Sequence, residues 1–134
     1  MSLLLLPATL AACRPFATKA DDWLAANRTS TVPELDLSGY WSNRDWGDAH
    51  FIQKANKVGG RLGAYPVRGV VNRDTAYLVI YSDRQPLPQY TAVLWLEERD
   101  VLVGNWAHRK VVGGRGDGEF IVLRRSPPQA PDAE

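Results

Sequence analysis

Tyr90-Thr-Ala-Val-Leu-Trp-Leu-Glu-Glu-Arg-Asp-Val-Leu-Val-Gly-Asn-Trp-Ala-His-Arg109 decides the fold. Two runs rich in β-branched and aromatic residues, Tyr90–Glu97 and Val101–Arg109, flank Glu98-Arg-Asp100. Runs of this composition read as strands. A link this short cannot carry a parallel crossover, so the pair is antiparallel. Outward from it the same punctuation recurs, with candidate strands at Ser38–Arg44, His50–Lys54, Arg61–Val71, Ala76–Ser82 and Glu119–Arg125. Turn chemistry separates them at Lys57-Val-Gly-Gly60, Asn72-Arg-Asp74 and Gly113-Gly-Arg-Gly-Asp-Gly118, with a longer link over Asp83–Gln89. No helical period competes in this middle. The expected fold is all-β: a small antiparallel up-and-down meander over residues 35–125, closing into a barrel because closure removes the exposed edges.

The chain has 134 residues, which suits one domain. Lys+Arg number 16 and Asp+Glu 15, a net charge of +1 that disfavours a polybasic nucleic-acid surface. A single Cys excludes an internal disulfide and a Cys-based zinc site. That cysteine has a particular setting. Met1-Ser-Leu-Leu-Leu-Leu-Pro-Ala-Thr-Leu-Ala-Ala-Cys13 is an apolar run, then small residues, then the thiol. The run is too short to span a bilayer and fits the apolar region of a secretory signal.

The end of this run, Leu10-Ala11-Ala12-Cys13, resembles a bacterial lipobox. The resemblance implies that residues 1–12 are a signal peptide and that Cys13 is acylated and inserted into membrane lipid. Two or three chains at about 0.8 kcal/mol per buried CH2 anchor a protein stably. No Lys or Arg precedes the apolar run, so either the true start lies upstream or the amino terminus supplies the charge. Arg14 rather than Asp follows the cysteine, which by resemblance favours the outer membrane, facing the periplasm. Residues 13–34 read as a lipidated tether, with Asp21-Asp22 opening at most one helical turn that carries Trp23 and Leu24. Residues 126–134, Pro-rich, read as a disordered tail.

Gly39-Tyr40-Trp41 opens the first strand and Arg124-Arg125 closes the last. A Gly-x-Trp opening and a basic closing residue resemble the calycin superfamily of lipocalins, fatty-acid-binding proteins and avidins. There an arginine packs across the indole and closes one end of the barrel. Alternation puts Phe120, Val122 and Arg124 on one face and Ile121, Leu123 and Arg125 on the other, and either arginine fits; Arg124 is taken as the closing residue. Gly39-Tyr-Trp-Ser-Asn43 and Gly63-Ala64-Tyr65 are similar to the avidin branch, in which such an Asn and Tyr contact biotin. The serine that follows in avidins is replaced by Arg44-Asp-Trp-Gly-Asp48, and biotin binding is not expected. Leu102-Val-Gly-Asn-Trp106 echoes Leu37-Ser-Gly-Tyr-Trp41, so Gly39, Trp41 and Trp106 read first as barrel geometry.

Familiar catalytic signatures are absent: no Gly-x-Ser-x-Gly elbow, no P-loop, no dinucleotide fingerprint. Arg115-Gly116-Asp117 reads as a turn in a Gly-rich hairpin rather than an adhesion site. His50 and His108 lack a matched carboxylate spacing and read as solvated or lightly packed. The expectation is therefore a non-enzymatic, membrane-anchored lipoprotein that needs no cofactor. Its barrel binds another envelope protein or a small amphipathic, hydrophobic ligand. An interior ligand would meet Trp41, Asn43, Tyr65, Tyr77 and Tyr81. Two rival readings remain: a small hydrolase or inhibitor with a rim site at Asp48 and His50, joined by Asp45 if it takes a cation, and a structural accessory subunit of an envelope assembly.

Overall fold

The computed structural model describes residues 14–127. The signal segment, Cys13 and residues 128–134 of the tail lie outside the described residues. Eight strands form one closed antiparallel barrel in which each strand pairs with the next and the last with the first. They are β1 (Gly39–Ser42), β2 (Ala49–Lys54), β3 (Lys57–Leu62), β4 (Tyr65–Asn72), β5 (Thr75–Tyr81), β6 (Pro88–Glu98), β7 (Val101–His108) and β8 (Glu119–Arg125).

The meander has one strand more than the composition suggests. Gly59-Gly60, expected in a turn, lies inside β3, where Ile52 faces Gly59 and Phe51 faces Gly60. The chain reverses instead at Ala55-Asn56 and at Gly63-Ala64, which splits the expected Arg61–Val71 strand. Gly63 adopts φ +60, and a Cβ there would lie 2.0 Å from the Trp46 carbonyl oxygen. Only glycine suits that position.

Strand alternation divides the residues into two sets. Trp41, Phe51, Leu62, Leu78, Ile80, Leu94, Leu102 and Leu123 point inward and are fully buried. The interior is thus packed with side chains, as a domain of this size needs for its own stability. Residues 28–38 cross the end formed by the turns at 55–56, 73–74 and 99–100. Glu34 N–H donates to the Arg73 carbonyl at 2.8 Å. The Gln53 amide donates to the Leu35 carbonyl and accepts from Leu37 N–H, both at 2.8 Å, which sets Leu35 and Leu37 into the core.

The outer face is covered in two places. The stretch expected as a tether holds a helix, α1 (Phe16–Asn27), in place of a single turn. Phe16, Ala20, Trp23 and Leu24 fall at the i, i+4, i+7, i+8 spacing of one helical face. Ala20 and Leu24 are buried against Val70 and Val79 on the outside of β4 and β5. Trp23 donates its indole N–H to the Val112 carbonyl at 3.1 Å and stands edge-on to Tyr77. The β7–β8 connection forms the second cover. Val112 packs on Val93 and Ala107, and Thr91 Oγ1 donates to the Lys110 carbonyl at 2.7 Å. Arg115 stacks over Trp95 at 4.4 Å, and the Asp117 carboxylate accepts Gly113 N–H at 2.7 Å. Both charged members of the Arg-Gly-Asp tripeptide are thus engaged within the barrel's own structure.

Candidate functional site

The two ends of the barrel differ in chemistry. At the end where residues 28–38 cross, the Arg125 guanidinium lies 4.2 Å from the Trp41 ring centre. Register explains why Arg125 rather than Arg124 closes the barrel: Trp41 faces Arg125, while Ser42 faces Arg124. Arg125 also donates to Asp100 Oδ1 at 2.8 Å and to the Ser38 carbonyl at 3.0 Å. Trp41 is fully buried and its indole N–H donates to the Leu37 carbonyl at 2.8 Å. Gly39 sits beside this pair, with Arg125 Nη1 3.1 Å from where its Cβ would stand. This end is sealed by packing, cation–π attraction and hydrogen bonds.

The opposite end carries the loops at 43–48, 63–64, 82–87 and 109–118. Four aromatic residues meet there edge to face. Trp46 stands 5.7 Å from Tyr65, 5.0 Å from Tyr90 and 5.2 Å from Trp106, measured between ring centres. His108 tilts against Tyr90 at 5.0 Å. Edge-to-face pairing of this kind adds about 0.5–1.5 kcal/mol per pair beyond area burial. The four half-buried rings cap the apolar core, and with Asp45 and Ala64 they line an open hollow of about 430 Å³. Asn43 fixes the loop that delivers Trp46. Its Oδ1 accepts Asp45 N–H at 2.9 Å and Trp46 N–H at 2.5 Å, and its Nδ2 donates to the Val122 carbonyl at 2.8 Å.

The five residues expected around an interior ligand do not converge. Trp41 lies in the core, Asn43 is spent on the loop and on β8, and Tyr65 belongs to the aromatic cap. Tyr77 and Tyr81 lie on the outer face with α1, because they alternate with the inward residues Ala76, Leu78 and Ile80. Trp106 joins the aromatic cap. Among the described residues no hydrogen bond or ion pair joins Asp48 to His50; His50 stacks flat on Tyr40 at 4.1 Å instead. No group of three or more His, Cys, Asp or Glu side chains is arranged to hold a metal ion among the described residues. Trp46 and Tyr90 escape a sequence reading because each stands alone beside a turn or strand start, far along the chain from its partners.

One more charged position is set by its neighbours. Burial lowers the pKa of Arg68, while the Tyr81 hydroxyl and the Asp21 carboxylate raise it by more, so the net shift is upward. Arg68 donates to Tyr81 Oη at 3.0 Å and to Asp21 Oδ1 at 2.8 Å, and so ties α1 to β4. Asn72 donates to the Asn27 carbonyl at 2.9 Å, so α1 runs in the same sense as β4. Its first residue, and Arg14 before it, therefore lie toward the aromatic end. No family model matches the chain, and no curated protein or solved structure matches it.

Proposed function

We propose that this chain is a non-enzymatic lipoprotein of a bacterial envelope, which binds a partner protein through its outer surface. Acylated Cys13 is the anchor in this reading, with the outer membrane as its site and the protein facing the periplasm. The observation that carries the reading is the packed interior: large apolar side chains occupy the space where a barrel of this kind would hold a ligand. Recognition then falls to the surface, and the aromatic hollow is the surface best suited to it. Half-buried Trp and Tyr rings bind partners with little loss of side-chain entropy. The lipobox motif ends one residue before Arg14, so the anchor would hold the aromatic end near the membrane.

Two measurements test this together. Cys13→Ser should abolish labelling by a palmitate analogue and release the protein from membranes. A photo-crosslinking residue at exposed Ala64, on the rim of the hollow, should capture an envelope protein in cells, and Asp45→Arg should weaken that capture. Unchanged labelling and membrane retention of the serine variant would remove the anchor. A small molecule found inside the barrel by native mass spectrometry would replace the surface reading with an interior one.

A further inference from the structure

A second cleft, of about 510 Å³, opens on the outer wall between the end of α1 and the β2–β3 hairpin. Its lining combines two chemistries. Leu24 and Val70 give an apolar floor, and three cations, Arg28, Lys54 and Lys57, stand around it beside Arg68, which is tied to Asp21. All three cations are exposed. Among the described residues none of the three has a carboxylate at ion-pair distance; the four ion pairs there involve Arg14, Arg68, Arg115 and Arg125. Lys54 and Lys57 also face each other directly across the hairpin, a pairing of like charges that destabilises the two-stranded unit. An anion between them would relieve that repulsion. Beyond the rim, past Lys57, which faces Val70, and Arg68, which faces Gly59, lies a further apolar patch. Gly59 faces Ile52 across β2 and β3, Ile52 is 49% exposed, and a Cβ on Gly59 would have nothing within 4 Å.

We propose that this cleft binds a single-chain amphipathic anion, an alkyl phosphate or carboxylate. The anionic head is held by Arg28, Lys54 and Lys57, and the tail lies over Val70 toward Gly59 and Ile52. Charge complementarity selects the head, since three cations that have no carboxylate partner among the described residues line one opening. The apolar floor selects the tail, each buried methylene adding about 0.8 kcal/mol to transfer from water. This site lies on the outer wall and stands or falls independently of what the aromatic hollow binds.

The test is titration of the full chain with dodecyl phosphate below its micelle concentration, followed by amide chemical shifts. Expected are saturable shifts at Leu24, Lys57 and Val70. Inorganic phosphate and dodecyl maltoside should each bind about ten-fold more weakly or worse, since one lacks the tail and the other the charge. Lys54→Ser with Lys57→Ser should weaken dodecyl phosphate by about ten-fold without lowering stability, because it also removes a like-charge pair. Gly59→Glu, which the open space accommodates, should weaken it through charge. Three results would overturn the proposal: equal affinity for the maltoside, unchanged affinity in the double variant, or binding to phosphatidylglycerol vesicles with none to dodecyl phosphate.

Discussion

The Arg125 guanidinium lies over the indole of Trp41, at 4.2 Å, where the last strand of the barrel meets the first. The contact spans the two ends of the domain's sequence and sits where pairing is thinnest. Only Trp41 and Ser42 of β1 register with β8. The arginine therefore adds cation–π attraction, an ion pair with Asp100 and a hydrogen bond to Ser38 at a weak closure.

Arg125→Ala should accordingly lower stability by about 1–3 kcal/mol, from a cation–π term of about 0.5–2 and the lost hydrogen bonds. Arg124→Ala, on the outward face, should stay within about 0.5 kcal/mol of the parent. Urea denaturation of both variants separates them. Equal losses would mean that the indole is sealed by packing alone.

The same register shows how much of the fold can be read from the chain. Strand β8 matches its expected limits, Glu119–Arg125, because its alternation is clean and it is bounded by Gly118 and by Pro127 just beyond. The choice between Arg124 and Arg125 depends on which residue of β1 stands opposite, and that is pairing information. The β3–β4 reversal was hidden because Gly59-Gly60 advertises a turn more strongly than Gly63-Ala64 does. Helix α1 was hidden because its buried stripe is short and includes the small Ala20. The aromatic cap joins residues from four separate segments, at 46, 65, 90 and 106, so no local spacing reveals it.

Helix α1 is a structural part of the domain. Leu24 is 4% exposed and packs on Val70 and Val79. Leu24→Ala should cost about 2–5 kcal/mol if the helix stays docked, and less if it can peel away from an intact barrel. Hydrogen exchange distinguishes the outcomes: local release would deprotect residues 16–27 while the β5–β6 ladder keeps its protection. No change in either measurement would mean that the Leu24 contact adds nothing to the docking of the helix.

Gly104, on the inward face of β7, and Gly59, on the outward face of β3 across the barrel, make opposite predictions. A Cβ at Gly104 would fall 1.9 Å from the Val93 carbonyl oxygen and 2.8 Å from Leu94 Cδ2, and backbone must move to admit it. Gly104→Ala should therefore destabilise by about 2 kcal/mol or more through overpacking. At Gly59 there is open space and no left-handed φ, so Gly59→Ala should be neutral or stabilise by about 0.5–1 kcal/mol. Thermal denaturation midpoints moving in the same direction would contradict this account of β3 and β7.

Asn43 places the aromatic cap, and its removal should be felt at Trp46. Asn43→Ala deletes two acceptor contacts, to Asp45 N–H and Trp46 N–H, and one donor contact to the Val122 carbonyl. At about 0.5–1.5 kcal/mol each, less what water recovers at this half-buried site, the loss should come to about 1–3 kcal/mol. Ser42→Ala is the matched control, since its hydroxyl makes one contact, at 3.3 Å, in an exposed position. The distinguishing signal is the near-ultraviolet circular dichroism of the edge-to-face cluster. It should weaken in Asn43→Ala, because a loosened 43–46 turn no longer holds Trp46 against Tyr65, Tyr90 and Trp106. If stability falls while that signal is unchanged, the cap is held by the mutual packing of its rings, and Asn43 serves only to join the first loop to β8.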